Sequence, residues 1–336
     1  NGHLYHLQQT KKITKSDSII CLLNGNFVQR GRPAVTNKWS RTKMALNNGV
    51  DLVIELPLVY GIRSAEYFAQ GAIKILDKLN IIDNIVFGSE TGTIKPLKIL
   101  ANILFNEPDD FQKVLKKYLA QGESFPKARE KAVIEYLQKT NKNHIIKDYS
   151  INEMISEPNN ILGIEYIKAI NKIESSIDPI TIKRTHKNYH QQKIHQLASA
   201  TSIRNIIYNE KEKFDQIENL VPQASWEILK QNFKKGRIPI NKNQLGTILL
   251  SKIRQMKISE LKQYAEINNG LENRIYEAAF NSGSLNQLIK NINTKAYTKT
   301  RIERNLLHIL FELTAKQFHI IDQHAPQYVR VLGFNS

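Results

Sequence analysis

The sequence has little cysteine, few acidic residues for its basic content, and no long apolar run. Its 336 residues include one cysteine, Cys21, which excludes an internal disulfide framework and a zinc cluster built on cysteines. The longest apolar runs, IICLL and LVIELPLVY, are far shorter than the roughly 18 residues that a transmembrane helix needs. No signal-peptide pattern opens the chain. We therefore expect a chain that packs its own core in a reducing compartment, by default the cytoplasm, without a membrane partner.

Positive charge is the abundant feature. Lys and Arg number 48 against 31 Asp and Glu, a formal net charge of +17 that both halves of the chain share. The densest basic segment runs from residue 230 to residue 262, and a smaller one surrounds Tyr297. Clustered cations release counterions when they meet phosphates, which favours nucleic acid as the macromolecular partner, with solvated helix faces as the alternative. The cations of these segments that we expect to contact nucleic acid are Lys234, Lys235, Arg237, Lys295 and Arg301.

Short β-rich runs and helical patterns alternate up to about residue 210. The runs SIICLL, VDLVIEL, DNIVF and ITIKR are typical of strands. Apolar spacing predicts helices over 38–47, 65–79 and 95–104, and two more between 109 and 139 that meet near Gly122. This alternation predicts an α/β fold with a parallel sheet and crossover helices.

The pattern changes after residue 210. Strand signals fade, and LGTILLSKIRQM, LENRIYEAAF and IERNLLHILFEL have helical spacing. We therefore expect an α/β domain over 1–210 and a mainly α-helical, basic domain over 211–336. The chain opens at NGHLYHL without a strand and ends in the extended pattern YVRVLGFNS, so we expect that a first strand and a carboxyl-terminal segment are missing.

Two short motifs have residues suited to phosphate. In NGHLYHL, Gly2 and His3 begin a helical stretch and His6 follows one turn later, so amide N–H groups, the helix dipole and an imidazole can meet an anion. In SATSIR, Ser199 and Thr201 open a helix and Arg204 follows in its first turn. Taken alone, surface histidines and an ordinary hydroxyl cap are the alternatives.

The segment GNFVQRGRP is predicted to be a long polar loop after a strand. Loops at the carboxyl ends of parallel strands commonly carry ligand sites in α/β sheets. Asn26, Gln29 and Arg30 are therefore candidates for contact with a substrate, and an ordinary surface loop is the alternative.

Several longer strings occur together and in order. GNFVQRGRPAVTNKWSRTKMAL, GVDLVIELP, SAEYFAQGAIKIL, FGSE, PNNILGIEYIKAI, TIKR and SATSIR resemble the bacterial tRNA(Met) cytidine acetate ligase family, of the H-x-G-H nucleotidylyltransferase superfamily. The similarity resumes at GLENRIYEA and TKAYTKTRIERNLLHIL. The first His of H-x-G-H would precede Asn1, so half of that motif is inferred.

The resemblance implies a fold and a reaction. The fold would be a Rossmann-like nucleotidylyltransferase parallel sheet with an α-helical carboxyl-terminal domain. Acetate and ATP would form acetyl-adenylate and pyrophosphate, with Mg²⁺ accompanying ATP. The acetyl group would then pass to the wobble cytidine of elongator tRNA(Met), giving N4-acetylcytidine. No metal site built by the protein is implied.

The resemblance also implies roles for residues. His3 would be catalytic, donating to phosphate as negative charge develops on the leaving pyrophosphate. Without the family, a turn glycine, a helix cap and surface charges are the alternatives for Gly88, Asn159 and the Lys183–Arg184 pair. The implied ATP-binding residues are Asn1, Gly2, His3, Leu4, Tyr5, His6, Gly88, Asn159, Lys183, Arg184, Ser199, Thr201 and Arg204.

A cationic helix start follows the GNFVQRGRP segment. Lys38, Arg41 and Lys43 begin a predicted helix, where cations oppose the helix dipole and an anionic partner would relieve the conflict. We expect them to contact tRNA phosphates. Trp39 between them could stack on an unpaired anticodon base, although packing in the core is the favoured interpretation.

Two other functions remain open at this stage. One is a small-molecule nucleotidylyltransferase, which the nucleotide motifs allow but the basic helical segment does not favour. The other is a non-catalytic RNA-binding protein with the same fold. The presence of His3, Thr201 and Arg204 disfavours this alternative. The sequence leaves the oligomeric state and the basis of acetate selectivity undetermined.

Overall fold

The computed structural model describes residues 2–123, 125–140, 150–184, 200–324 and 326–335. The chain forms two compact units. Unit 1 comprises Asn1–Leu7, Ser16–Ala72 and Lys193–Ser336, and unit 2 comprises Gln8–Lys15 and Ile73–Gln192.

These units follow a different division from the two sequence domains. Residues 211–336, expected to form a domain of their own, lie in the same compact unit as residues 16–72. The separation into a catalytic part up to residue 210 and a tRNA-binding part beyond it stays a prediction about function.

Strands and helices alternate through the first part of the chain, and the four predicted strands all form. The two helices predicted between 109 and 139 also form, and Gly122 between them has φ +82°. In chain order the elements are α1 (Gly2–Thr14), β1 (Ile20–Asn24), β2 (Phe27–Val28), β3 (Arg32–Pro33), α2 (Lys38–Leu46), β4 (Leu52–Leu56), α3 (Leu58–Gly61), α4 (Ala65–Lys78), β5 (Asn84–Ser89), α5 (Ile94–Asn106), α6 (Asp109–Ala120), α7 (Phe125–Lys139), α8 (Ile151–Ser156), α9 (Pro158–Lys172) and β6 (Asp178–Lys183).

Helices dominate from residue 200 onward, as predicted, and the extended carboxyl-terminal pattern is a strand. A 3₁₀ helix over Lys211–Asn219 separates the first two α-helices. The elements are α10 (Ala200–Asn209), α11 (Gln223–Lys234), α12 (Gln244–Gln255), α13 (Ile258–Leu261), α14 (Leu271–Phe280), α15 (Leu285–Ile292), α16 (Lys299–Leu310), α17 (Ala315–Gln323) and β7 (Arg330–Phe334).

The parallel strands pair in two ladders. In unit 1, β1 runs parallel to β4, with Ile20 opposite Leu52, and β7 adds an antiparallel strand on the other side of β4. In unit 2, β5 runs parallel to β6, with Asn84 opposite Asp178. The predicted α/β class with parallel strands is confirmed. The position of β7 was not predicted, because its partner lies almost a whole chain length away.

Local sequence explains where several helices begin. The Asn37 side chain accepts a hydrogen bond from the Ser40 amide at 2.9 Å and caps α2. Pro158 occupies the first turn of α9, where its missing N–H costs nothing. Ser284 caps α15, and Thr314 with Gln317 forms a reciprocal capping box at α17.

Three apolar clusters lie among the described residues of unit 1. Val50, Val53 and Leu332 bury the inner side of the β1/β4/β7 sheet, with Leu7 of α1 packed on them. A second cluster joins α10, the 3₁₀ helix and α11 around the fully buried Trp226. The third fills the space among α12 to α16. In unit 2, α5 to α9 pack around Leu97, Leu100, Phe111 and Leu137. Burial of this apolar area is the main favourable contribution to folding.

None of the helices in the described ranges has both the length and the apolar character needed to cross a bilayer.

Candidate nucleotide and RNA sites

The predicted helix at the start of the chain forms as α1. Gly2 to His6 are helical and His3 is exposed, whereas Asn1 lies outside the described residues. Leu7 packs on the sheet that contains β1, and only residues 15–19 connect α1 to β1. The chain must therefore reverse, which directs the first amides of α1 toward the carboxyl end of β1. Ligands of α/β sheets bind at such ends.

Two cations of the α2 start are engaged inside the protein. Lys38 Nζ lies 2.7 Å from Glu55 Oε2. Arg41 donates through Nη2 to the backbone oxygens of Asn24, at 2.9 Å, and Gly25. Burial lowers the pKa of Arg41. Arg41 thus holds the end of β1 and Lys38 pairs with β4, and their expected contact with tRNA stays a prediction.

The GNFVQRGRP segment forms a tight hairpin where a loop was predicted. Phe27 pairs with Pro33 and Val28 with Arg32, in an antiparallel two-stranded ladder. The turn closes because Gly31 adopts φ +75° and donates its N–H to Val28 O at 2.9 Å. The hairpin presents Arg30 as an exposed side chain, with Gln29 half-buried beside it.

Asn26, the third candidate of this segment, also has a structural contact. Its side-chain oxygen accepts the Lys38 amide N–H at 2.9 Å, which ties the start of the hairpin to the start of α2.

The hairpin and the start of α10 bring three arginines together. Arg204 Nη2 donates to Thr201 Oγ1 at 3.3 Å, as the motif SATSIR suggests, while Ser199 lies outside the described residues. Burial lowers the pKa of Arg204, and repulsion from Arg32 and Arg30 lowers it further. Among the described groups that shift it, none is a carboxylate. Clustered guanidiniums without an acid partner form a site for an anion such as phosphate.

Tyr208 lines the same cluster one turn further along α10. Its hydroxyl donates to Ile240 O at 3.0 Å. Burial raises the pKa of this phenol, while the nearby Arg32 and Arg204 lower it in part. Tyr208 therefore stays neutral at physiological pH and adds no negative charge to the arginine cluster.

In unit 2, a second polar site forms where β5 and β6 end. Ser89, fully buried at the end of β5, accepts hydrogen bonds from Thr181 Oγ1 at 2.6 Å and from the Gly92 amide at 2.9 Å. The Arg184 amide donates to Ser89 O at 2.9 Å and extends the ladder by one residue. These bonds fix the turn that carries Gly88 to Glu90.

The same turn is clamped to the amino terminus of α9. Glu90 Oε2 accepts the Asn160 amide N–H at 2.9 Å, and Asn160 Oδ1 accepts the Glu90 N–H at 3.0 Å. A carboxylate at this position is also favoured by the helix dipole. Asn159 donates to Glu90 Oε1 and accepts from Arg184 Nη1 at 3.3 Å. Asn159 and Arg184, two predicted nucleotide contacts, are thus hydrogen-bonded partners.

Glycines allow the basic side chains to lie across this turn. A Cβ on Gly88 would stand 3.2 Å from Arg184 Cγ, so the Arg184 stem covers the backbone of β5 at that point. Gly92, at φ +68°, faces the stem of Lys183 in the same manner. Gly88, Asn159, Lys183 and Arg184, which were separate in the sequence, therefore gather at one end of the β5/β6 pair.

The basic segment 230–262 is partly neutralised by distant acids. Lys242 pairs with Glu303 at 2.7 Å, Lys252 with Glu312, and Lys262 with Glu272 at 3.6 Å. In the sequence, Glu260 was the acid opposing this segment. The segment therefore has less unbalanced charge than its sequence suggests.

Lys234, Lys235 and Arg237 at the end of α11 are exposed, and no ion pair within the described residues involves them. Lys295 is exposed as well. Arg301 donates to Glu266 O at 3.2 Å and lies 5.3 Å from the centre of the Tyr297 ring. These cations, apart from Arg301, point their charges to solvent.

The described ranges contain no group of three or more His, Cys, Asp or Glu side chains arranged to hold a metal ion.

Comparison with known proteins extends this picture. The sequence model of the HIGH nucleotidyl transferase family matches residues 1–336. The tRNA(Met) cytidine acetate ligase of Halothermothrix orenii is 50% identical over 339 residues, which cover 100% of this chain and 79% of that protein. This chain belongs to the tRNA(Met) cytidine acetate ligase family. The protein of the same name from Acetivibrio thermocellus is 45% identical over 340 residues, which cover 100% of this chain and 80% of that protein.

Solved structures of the tRNA(Met) cytidine acetate ligase family agree with this fold. Thermotoga maritima TmcAL bound with alpha-thio ATP has a TM-score of 0.89 and 35% identity, covering 99% of this chain and 77% of that chain. The apo form of the same protein also has a TM-score of 0.89. The family resemblance and the Rossmann-like nucleotidylyltransferase fold expected from the sequence are both confirmed.

Sequence reasoning missed several residues that build these sites in the ligase-family fold. Arg32 was not distinguished from its neighbours, because a single arginine in a polar segment has no signal of its own. Glu90 was noted in FGSE without a role. Two sequence features could have indicated the hydrogen bonds between Glu90 and the start of α9. They are a carboxylate directly after a strand and the two asparagines after Pro158.

Proposed function

We propose that this protein joins acetate to the wobble cytidine of elongator tRNA(Met) in two steps. In the first, an acetate oxygen attacks the α-phosphorus of ATP, the bond to the bridging oxygen breaks, and pyrophosphate leaves. In the second, the exocyclic amine of cytidine attacks the acetyl carbon, loses a proton and releases AMP. The products are N4-acetylcytidine in tRNA, AMP and pyrophosphate.

The observation that carries the proposal is the similarity, over the whole of this chain, to proteins named tRNA(Met) cytidine acetate ligase. At 50% identity over the whole chain, the strings that form the strand ends, the hairpin and the α10 start all fall inside the matched region. The T. maritima neighbour binds an ATP analogue, which supports ATP as a substrate here.

The arginine cluster supports the first step. Formation of acetyl-adenylate moves negative charge onto the departing pyrophosphate, and preorganised cations stabilise that charge most where water is excluded. Arg204 with Thr201, joined by Arg30 and Arg32, supplies such cations. His3 at the start of α1 is our proposed additional donor.

The β5/β6 site suits the nucleoside. We propose that Gly88 and Asn159 contact the adenosine, while Arg184, whose stem lies over Gly88, contacts its polar groups and Lys183 adds positive charge. The remaining ATP contacts proposed are Asn1, Gly2, Leu4, Tyr5, His6 and Ser199. Mg²⁺ would accompany ATP, with most of its coordination supplied by the phosphates.

Exposed cations of unit 1 suit the RNA. Lys43, Lys234, Lys235, Arg237 and Lys295 are proposed to contact tRNA phosphates, with Arg301 and the hairpin residues Asn26, Gln29 and Arg30 nearer the reacting groups. The charge excess spread along the chain supports a polyanionic substrate over a small metabolite. The cytoplasm, where tRNA and a reduced Cys21 coexist, is the proposed compartment.

A labelling experiment tests the whole proposal. The full chain is incubated with ATP, labelled acetate and total bacterial tRNA, and the digested RNA is analysed for labelled N4-acetylcytidine. Label that depends on ATP and not on acetyl-CoA is the expected result.

Three other outcomes would replace the proposal. Acetate-dependent exchange of pyrophosphate into ATP without RNA labelling would assign a different acetyl acceptor. RNA binding without exchange would assign a non-catalytic RNA-binding protein, and exchange with another small substrate a small-molecule nucleotidylyltransferase.

A further inference from the structure

Trp39 is exposed on the first turn of α2. Its relative exposure is 54%, whereas the other tryptophan of the chain, Trp226, is fully buried. The core position favoured from the sequence is therefore wrong. The helix directs Trp39 away from the apolar cluster, which Met44 of the same helix joins instead. Single exposed aromatic side chains are common on protein surfaces, so the case for a partner rests on the groups that surround Trp39.

Contacts between α2 and α11 place cations beside this tryptophan. Ser40, the next residue, accepts a hydrogen bond from Asn232 Nδ2 at 3.2 Å. The Asn232 carbonyl accepts the Arg237 N–H at 2.9 Å, and the Val35 carbonyl accepts the Ile240 N–H at 3.4 Å. The exposed end of α11 and the turn after it thus run along the start of α2. These elements all belong to unit 1.

The exposed groups of this surface share one charge sign. Lys43 lies four residues after Trp39, so both project from the same side of α2. We call Trp39, Lys43, Lys234, Lys235 and Arg237 the Trp39 face. The four cations of this face are exposed, and no ion pair among the described residues includes them.

The tryptophan itself is held in place by a neutralised neighbour. Lys38 Nζ lies 5.4 Å from the centre of the indole ring and is paired with Glu55. The Lys38 ammonium is thereby engaged by an acid of the protein and also lies within cation–π distance of the ring. An aromatic platform supported in this way and surrounded by unpaired cations is the arrangement that single-stranded nucleic acid binds through stacked bases and phosphates.

We propose that the Trp39 face binds the anticodon loop of the substrate tRNA, with an unpaired base stacked on Trp39 and flanking phosphates on its four cations. The proposal rests on the proposed function, which makes an anticodon nucleotide the acceptor. It adds a specific contact, because a stacked base must first be unpaired. Trp39 thereby selects a single-stranded loop over a helical stem.

Fluorescence tests the stacking directly, because Trp226 is buried and Trp39 is the exposed emitter. The full chain is titrated with a tRNA(Met) anticodon stem-loop, and with a duplex of the same length and charge. The stem-loop should quench Trp39 and protect it from acrylamide, and the duplex should do neither. Trp39→Ala should weaken stem-loop binding about tenfold, the usual effect of losing one stacked base. Trp39→Phe should stay within about threefold of the wild type, since Phe retains a stacking face.

Phe125→Ala is the matched control. Phe125 is also 54% exposed, with the Arg129 guanidinium 5.8 Å from its ring centre, but it lies in unit 2. Its loss should leave the stem-loop affinity unchanged, which separates stacking from the removal of any exposed aromatic group.

Three results would overturn the proposal. They are equal quenching by the duplex, unchanged stem-loop affinity in Trp39→Ala, and protection of Trp39 that rises with protein concentration without RNA. The last would assign the face to a second copy of the chain. Failure of the proposed function is distinguishable. If the wild type quenches with the stem-loop but forms no N4-acetylcytidine, that function fails and the stacking stands. If the wild type forms N4-acetylcytidine but the stem-loop does not quench Trp39, the proposed function stands and the stacking proposal fails.

Discussion

At the residue scale, Arg32 shows how a side chain gains its role from residues far away in sequence. In the sequence, most of unit 2 separates it from Arg204. The pKa of Arg204 is nevertheless lowered first by burial and then further by repulsion from Arg32. Like charges are held together only when other interactions compensate. In this case the hairpin ladder and the α10 helix hold them.

We predict that Arg32→Ala impairs adenylation. Losing one guanidinium from an anion site should raise the KM for ATP in acetate-dependent pyrophosphate exchange about tenfold, because a charged hydrogen bond contributes roughly 1.5–3 kcal/mol. The KM of Arg32→Lys for ATP should lie between those of Arg32→Ala and the wild type, since lysine keeps the charge but lacks the fork of donors. Lys116→Ala, which removes an exposed cation of α6, is the control. An ATP KM equal to that of the wild type in Arg32→Ala would remove this residue from the site.

His308 links pH to stability. The buried imidazole lies with Nε2 3.1 Å from Ile62 O and Nδ1 3.4 Å from Ala265 O. Burial lowers its pKa below the usual 6.5, and Arg304 lowers it further, although Glu266 and the two carbonyls oppose this. The folded protein therefore resists a proton that the unfolded chain accepts. Stability should fall as the pH drops below 6.5.

Urea unfolding at pH 7.5 and pH 5.5 measures this linkage. We expect a lower midpoint at pH 5.5 in the wild type and a smaller pH effect in His308→Gln, which has no titrating group. An equal pH effect in both proteins would show that other groups cause the loss.

At the element scale, the β2/β3 hairpin depends on its close fit to α16. Gly31 has φ +75°, and a Cβ there would overlap the backbone of Glu303 and Arg304. The turn that presents Arg30 and Arg32 is therefore held by unit 1 packing as well as by its own ladder, which has only two residue pairs. Such a short hairpin is not stable alone.

We predict that Gly31→Ala destabilises unit 1 by roughly 2–5 kcal/mol. The left-handed backbone costs about 1–2 kcal/mol and the overlap about 1–3 kcal/mol. Gly270→Ala is the matched control, since Gly270 has φ +88° in the same unit but no atom within 4 Å of the added Cβ. Gly270→Ala should lose only the roughly 1–2 kcal/mol that the left-handed backbone costs. Thermal and urea unfolding compare the two, and equal losses would exclude a close fit at Gly31.

At the scale of the whole molecule, RNA binding depends on the cationic side chains that are not paired with acids once the chain has folded. Lys242, Lys252 and Lys262 are paired with acids, while Lys235 and Arg237 are exposed without a described ion pair. Counterion release depends on phosphates actually neutralised, so the net charge of +17 overstates the number of contacts.

We predict a salt dependence that distinguishes these cations. The logarithm of the tRNA binding constant should fall linearly with the logarithm of salt concentration, and Lys235→Ala should reduce the slope by about one. Lys116→Ala, in unit 2, should leave the slope unchanged. Binding of tRNA that is insensitive to salt would contradict a phosphate-contacting surface.

The local elements of this protein follow from its sequence. Alternating apolar runs predict strands and helices correctly, because this signal acts within a few residues. The caps that the structure shows at Asn37 and Ser284 are equally local. Ordered motifs such as GNFVQRGRP and SATSIR also identify the family.

The tertiary structure determines which of those residues contact each other. It paired β7 with β4, gathered Arg30, Arg32 and Arg204, joined Asn159 to Glu90 and Arg184, and left Trp39 in solvent. It also neutralised Lys242 with Glu303, sixty-one residues away. Each of these outcomes depends on contacts between distant segments, whose energies are set by packing and desolvation and leave no local pattern in the sequence.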